Sequence, residues 1–197
     1  MLIHPWDAGE EEQSLAYVRD NPFGTLIAAG RDRAVPVVVP TQFLLTDDRT
    51  VLLHLARPNP IWAAIEENPK VILSVAGPWS YIRGGWRAEP GTDPALGVPT
   101  TYYSSVQLTC HAEIVTEAEG KLEILRGQLD DLEPGHGDPA QMPRLLSGIR
   151  GLRLTIEEIR GKFKYDGHKD AEHRARVAKG LSERGGPGDD AALRYMS

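Results

Sequence analysis

Cysteine is almost absent from this 197-residue chain: Cys110 stands alone, so no internal disulfide can staple the fold. Long apolar runs are missing as well. No stretch approaches the roughly 18 residues a membrane helix needs, and Asp7 and Glu10 arrive before any apolar segment long enough for a secretion signal. A cytoplasmic protein with no membrane partner is expected. Positive charge is in deficit, 22 Lys and Arg against 28 Asp and Glu, and the net −6 repels polyanions. Direct DNA binding would therefore need a local basic patch. The best candidate, 162–184, interleaves its cations with Asp170, Glu172 and Glu183 as a solvated helix face does. Catalytic and nucleotide signatures are lacking too: there is no Gly-x-Ser-x-Gly elbow, no P-loop and no Gly-x-Gly-x-x-Gly. The six histidines (His4, His54, His111, His136, His168, His173) show no zinc spacing. Neither catalytic residues nor metal ligands are expected.

What the chain does have is enough apolar content, 41%, for a full core. At this length about 70% of the unfolded surface can be buried. One domain over 1–183 is expected, with a disordered Gly-rich tail over 184–197. Helices are predicted over 10–20, 60–67 and 170–181, and strands over 23–29, 35–43, 50–55 and 71–76. Pro36 and Pro40 mark the second strand as an edge or a bulge. Strict alternation from Val106 to Val115 gives a half-buried strand. Thr116 and Glu119 form a capping box for a helix with a stripe of Ala118, Leu122, Leu125, Leu129 and Leu132, read as core or subunit packing. A last strand carries Leu152, Leu154 and Ile156, with a bulge at Glu157–Glu158. The aromatic, Gly- and Pro-rich stretch 77–103 reads as a long irregular lid. Some six closely spaced strands with single inserted helices fit a barrel better than layered βαβ units.

The sharpest local feature runs from His54 to Trp62. Pro58 biases Arg57 toward extended backbone, Asn59 suits an N-cap and Pro60 a first helical position. On this reading the amides of Ile61 and Trp62 are free and, with Arg57, favour a phosphate. Plain helix capping explains the same residues. Lys162 and Lys164 share one strand face with Phe163 on the other, as a second phosphate or flavin-edge contact or simply a polar strand end. His54, three residues before Arg57, is placed to reach a ligand or to be a satisfied, partly buried histidine.

Three segments resemble the PaiB family of FMN-binding negative transcriptional regulators. They are Asn21-Pro22-Phe23-Gly24-Thr25-Leu26; His54-Leu55-Ala56-Arg57-Pro58-Asn59-Pro60-Ile61-Trp62, the most specific; and Gly161-Lys162-Phe163-Lys164. Pro99-Thr100 with Tyr103 also fits. The resemblance implies a mainly β fold with inserted helices, a split β-barrel of the FMN-binding, pyridoxamine-phosphate-oxidase-like type. It also implies a homodimer with FMN as cofactor, bound through His54, Ala56, Arg57, Asn59, Ile61, Trp62, Thr100, Tyr103, Lys162 and Lys164. The chain departs from the pattern at Thr101 and Tyr102, where the family has Trp and Asn, and at Tyr165-Asp166-Gly167-His168, where it has Leu-Ser-Gln-Asn. The expected function is that of a PaiB-type regulator. The alternatives are a flavin-dependent oxidoreductase, or a barrel that has lost FMN and serves as an interaction module.

Overall fold

The computed structural model describes residues 1–46, 49–141 and 143–196. In chain order its elements are β1 (Ala8–Gly9), α1 (Glu11–Asp20), β2 (Phe23–Ala28), β3 (Val37–Gln42), β4 (Leu44–Leu45), β5 (Thr50–Ala56), α2 (Ile61–Glu67) and β6 (Lys70–Ile82). There follow α3 (Gly84–Arg87), β7 (Thr100–Val115), α4 (Ala118–Leu132), α5 (Pro143–Gly148), β8 (Ile149–Lys164), α6 (Ala171–Arg184) and α7 (Asp189–Met196). The strands make one sheet in the order β3-β2-β6-β7-β8-β5-β4, with β1 on β8. The pairings of β2 with β3 and β6, of β5 with β4 and β8, and of β1 with β8 are antiparallel. Of the edge and the bulge that the prolines allowed, the structure shows the edge: Pro40 of β3, opposite Thr25, has no N–H to give a further neighbour.

Two compact units, interleaved in sequence, divide the chain. The first comprises Met1–Glu11, Ala76–Val106 and Arg160–Ser197; the second, Glu12–Val75 and Gln107–Ile159. The core of the second unit is built by the alternation of its strands, which turns Leu26, Leu53, Leu73, Leu108, Leu152 and Leu154 inward. Each such side chain contributes about 1.5–3 kcal/mol on burial. Gly24 is needed in β2 because a Cβ there would meet the Ser74 carbonyl at 2.8 Å. In the first unit Ile82, Tyr102, Val177 and Leu181 are fully buried. Among the described residues no helix is long and apolar enough to cross a membrane.

Several local expectations are corrected. The irregular stretch foreseen over 77–103 shrinks to 83–99, because β6 runs on to Ile82 and β7 begins at Thr100. Inward Ser80 and Ile82, and inward Tyr102, Ser104 and Val106, carry the two-residue period past Gly77 and Pro78 and into the aromatic run. The remaining stretch is pinned at its base, where a Cβ on Gly97 would sit 1.9 Å from the Gly84 carbonyl oxygen. The capping box does not form: Glu117 is the N-cap of α4, and the Thr116 hydroxyl donates to the Glu117 carboxylate at 3.2 Å. The buried face of α4 is accordingly Ile124 and Gln128; Leu122, Leu125 and Leu129 are half-buried and Leu132 is exposed. β8 runs unbroken as strand through Glu157 and Glu158.

The tail expected to be disordered contains α7, with Ala192 and Met196 buried. Gly185, in the left-handed region at φ +56, ends α6 by donating its amide to Leu181. Asp189 then opens α7 and accepts from the Gly186 amide (2.8 Å), Arg184 Nε (2.8 Å) and Ser80 Oγ (2.7 Å). The glycines that suggested disorder are turn residues between two helices.

Candidate functional site

In the second unit, β5 delivers His54 to Ala56 and the chain turns through Arg57–Pro60 into α2. The turn is closed by its own atoms. Asn59 donates its amide to the Ala56 carbonyl (3.0 Å), and that carbonyl also accepts the Trp62 indole N–H (3.0 Å). Asn59 Oδ1 takes the Ile61 amide at 3.0 Å, and the Asn59 carbonyl takes the Trp62 amide at 3.5 Å. Ile61 and Trp62 are buried. The expectation of two free amides aimed at a phosphate is therefore corrected: Asn59 folds back to satisfy the first of them and its carbonyl meets the second, an Asx turn that competes with any ligand. Seven residues of α2 also give little macrodipole.

Arg57 is different. Its backbone amide is anchored to the Gly148 carbonyl at 2.8 Å, while its guanidinium is exposed and has no partner among the described residues. His54 is half-buried and gives its Nδ1–H to Gln128 Oε1 at 2.6 Å, leaving the buried Gln128 Nε2 without an acceptor. Trp62 lies under the Arg150 guanidinium, 5.8 Å from the ring centroid, and Arg150 in turn pairs with Glu66 at 3.2 Å. So in this unit His54, Ala56, Asn59, Ile61 and Trp62 hold one another and their neighbours, and Arg57 is left to act outward.

In the first unit the structure brings Thr100, Tyr103, Lys162 and Lys164 together. Lys162 and Lys164 share a face of β8, and Phe163 between them is buried on the other. Both ammonium groups lie over the Tyr103 ring, at 5.6 and 6.0 Å from its centroid. Lys164 donates to Thr100 Oγ1 at 2.7 Å and Lys162 to the Leu2 carbonyl at 2.9 Å. The rest of the basic run is largely paired within the unit: Arg176 with Glu172 (3.1 Å), Lys179 with Glu183 (3.8 Å), Arg184 with Asp189, and Arg174 with the Met196 carbonyl.

Sequence reasoning missed a buried cluster in the same unit. Asp166 accepts from Arg87 Nε at 3.1 Å and Nη2 at 3.2 Å, and meets His173 Nε2 at 3.1 Å. Burial alone would raise this carboxyl, but the neighbouring Tyr102 hydroxyl, the Arg87 charge and the His173 bond outweigh it and hold the group below the usual carboxylate range. Burial, with the Asp166 charge beside it, pushes the Tyr102 phenol well above its ordinary value, and its hydroxyl makes no hydrogen bond of normal geometry. Only the Asp166-Gly167 turn dipeptide hinted at the cluster; Arg87 and Tyr102 lie far away in sequence, and His173 stands on the next helix, α6. Cys110 is buried and inert, its thiol pushed up to about 12 by burial and by Glu157. Among the described residues no group of side chains has the makings of a metal site.

A mainly antiparallel sheet with helices inserted between its strands, in this order, defines a split β-barrel. Solved structures share the fold. The flavocytochrome Anf3 of Azotobacter vinelandii aligns with a TM-score of 0.63 at 21% identity, over 86% of this chain and 75% of that one. The FAD and heme binding protein of Mycobacterium smegmatis aligns at 0.62 and 18% identity, over 86% and 78%. The chain belongs to the family described as "Putative FMN-binding domain", whose model matches residues 1–158. Its cofactor is FMN. It is also 24% identical over 185 residues, 89% of its length and 86% of the relative's, to the protease synthase and sporulation protein PAI 2 of Bacillus subtilis (strain 168).

Proposed function

We propose that this protein is a cytoplasmic, homodimeric, FMN-binding regulator of gene expression, and that Arg57 is its contact to the FMN phosphate. The exposed, unpartnered guanidinium of Arg57 carries the reading. A phosphate monoester bears close to two negative charges, and in a chain of net charge −6 only locally concentrated cations can hold it. A charge-assisted bond of this kind contributes about 1.5–3 kcal/mol. The group formed by Lys162, Lys164, Thr100 and Tyr103 is proposed as an FMN contact on its own geometry: two cations over an aromatic face suit an anionic or electron-rich planar edge. His54, Ala56, Asn59, Ile61 and Trp62 act indirectly, by setting the turn that presents Arg57. FMN, when bound, supplies reversible one- and two-electron chemistry; the residues of the chain supply binding and orientation.

The homodimer is supported by a sheet face of the second unit. Phe23 and Ile27 of β2 lie on one side with Val38 of β3 and Ile72 of β6, Ile27 standing opposite both of the latter. Phe23, Val38 and Ile72 are exposed. An apolar strip across three strands is the kind of surface a second subunit covers. The regulatory reading follows the resemblance to the PaiB family and to the Bacillus protein whose name joins protease synthesis with sporulation. It needs no DNA-reading element in this chain, since Arg174, Arg176, Lys179 and Arg184 of the basic run are committed to internal partners.

Transcript profiles of a deletion strain and of a strain carrying Arg57→Ala test the proposal together. Both should change the same transcripts, and the purified FMN-loaded protein should give no electrophoretic shift with its own upstream DNA. An unchanged profile in the deletion strain removes the regulatory role, and a shift at micromolar protein overturns the indirect mode.

A further inference from the structure

The four residues that follow Lys164 build a second feature of the first unit. Asp166 is buried with its backbone at φ +54, one of two non-glycine residues in the left-handed region among those described. Such a conformation costs on the order of 1 kcal/mol and persists where the surroundings over-determine it, which is often beside a binding site. The surroundings here are Arg87 and His173, and both line a cavity of about 330 Å³. That volume lies within the range of small-molecule sites, about 300–1,000 Å³.

The charges of the lining decide what the cavity can hold. Arg87 is already engaged, to Asp166 and, through Nη1, to the Val98 carbonyl at 2.7 Å. The Lys169 ammonium has no acceptor among the described residues. His173 is fixed by Asp166 at Nε2 and by its place in the first turn of α6, where its amide donates to Asp170 Oδ1 at 2.7 Å, and its Nδ1 has no partner among the described residues. Glu89, also in the lining, opposes a second negative charge on any guest, and Leu96 and Val98 offer apolar wall. One free cation, one imidazole nitrogen held in place, one opposing carboxylate and an apolar wall together match a particular guest.

We propose that this cavity is a second small-molecule site, apart from the residues assigned to FMN, that takes a monocarboxylate with a compact apolar body. Lys169 pairs with the carboxylate, His173 stands in the wall with its Nε2 held by Asp166, and Leu96 and Val98 cover the body.

The full chain saturated with FMN is titrated with sodium benzoate, with neutral benzyl alcohol and with the dianion phthalate, following heat and the His173 ring signals by NMR. Benzoate should bind at least about tenfold more tightly than either control, shift the His173 signals, and lose about tenfold in Lys169→Met, whose melting temperature should equal the wild type's. Leu96→Gln, which keeps the charges, should weaken benzoate as well. No heat and no His173 shift with millimolar benzoate overturns the proposal, as does equal affinity in Lys169→Met or for phthalate.

Discussion

Arg57→Ala and Asn59→Ala separate two ways in which the turn after β5 can meet a phosphate. The Arg57 guanidinium has no hydrogen-bond or ion-pair partner among the described residues, so its removal leaves nothing unsatisfied and should change folding stability by no more than about 0.5 kcal/mol. Loss of its charge-assisted bond to FMN should cost about 1.5–3 kcal/mol, or about 10- to 150-fold in Kd. Asn59→Ala does the reverse. It removes the 3.0 Å bond to the Ile61 amide, costs about 1 kcal/mol of stability as a lost hydrogen bond, and frees the very N–H that an amide-based phosphate site would use. FMN affinity in that variant should stay within about twofold of the wild type, since one freed amide at the start of a seven-residue helix adds little to an anion. Quenching of flavin fluorescence on titration at fixed ionic strength reads both constants, and thermal melts read the stabilities. If Asn59→Ala tightened FMN severalfold while Arg57→Ala left it unchanged, the phosphate would sit on the helix and the argument for Arg57 would fail.

Three further outcomes follow from the first unit. Asp189→Ala strips the acceptor from Arg184, Ser80 and the Gly186 amide in a buried setting and should cost about 3–5 kcal/mol, lowering Tm by about 6–20 °C; a fall of under about 2 °C would mean α7 is not docked. Arg184, against the smaller effect of burial, holds the Asp189 carboxyl at about 2, below its ordinary 3.8. A depressed carboxylate contributes in full above its unfolded value and loses that contribution as pH falls through its folded one, so the wild type should lose stability between about pH 4 and pH 2 more steeply than Asp189→Asn. Gly97→Ala places a methyl against the Gly84 carbonyl and should raise hydrogen exchange over 83–99 while leaving β5 and β8 protected; unchanged exchange would show that the stretch is not pinned there.

The strands were legible wherever a two-residue period met an unambiguous turn. β5, β7 and the edge position of β3 follow from alternation and from two prolines, because side chains on a pleated sheet must alternate. Reading failed where a breaker sat inside a working strand: Gly77 and Pro78 looked like the start of a loop, yet burial of Ser80 and Ile82 carries β6 past them. It failed again at Asn59, for a reason that lies in the residue. An asparagine good at starting a helix is equally good at using its own side chain on the first amide, and no pattern of residue types tells a cap that waits for a ligand from one that has no need of it. Lys162, Lys164 and Tyr103 could be paired from spacing and resemblance, since two of them alternate on one strand. The Asp166 cluster was out of reach, because Arg87, Tyr102 and His173 converge on it from three other elements and only the fold brings them together.

The visible spectrum of the freshly purified chain, followed by release of the chromophore and its mass, bears most directly on FMN as the resident cofactor. Wild-type protein should carry the flavin band and release FMN in near-stoichiometric amount, and Arg57→Ala prepared alongside should be largely colourless at the same concentration. Colourless wild-type protein that also fails to quench added FMN would contradict the account.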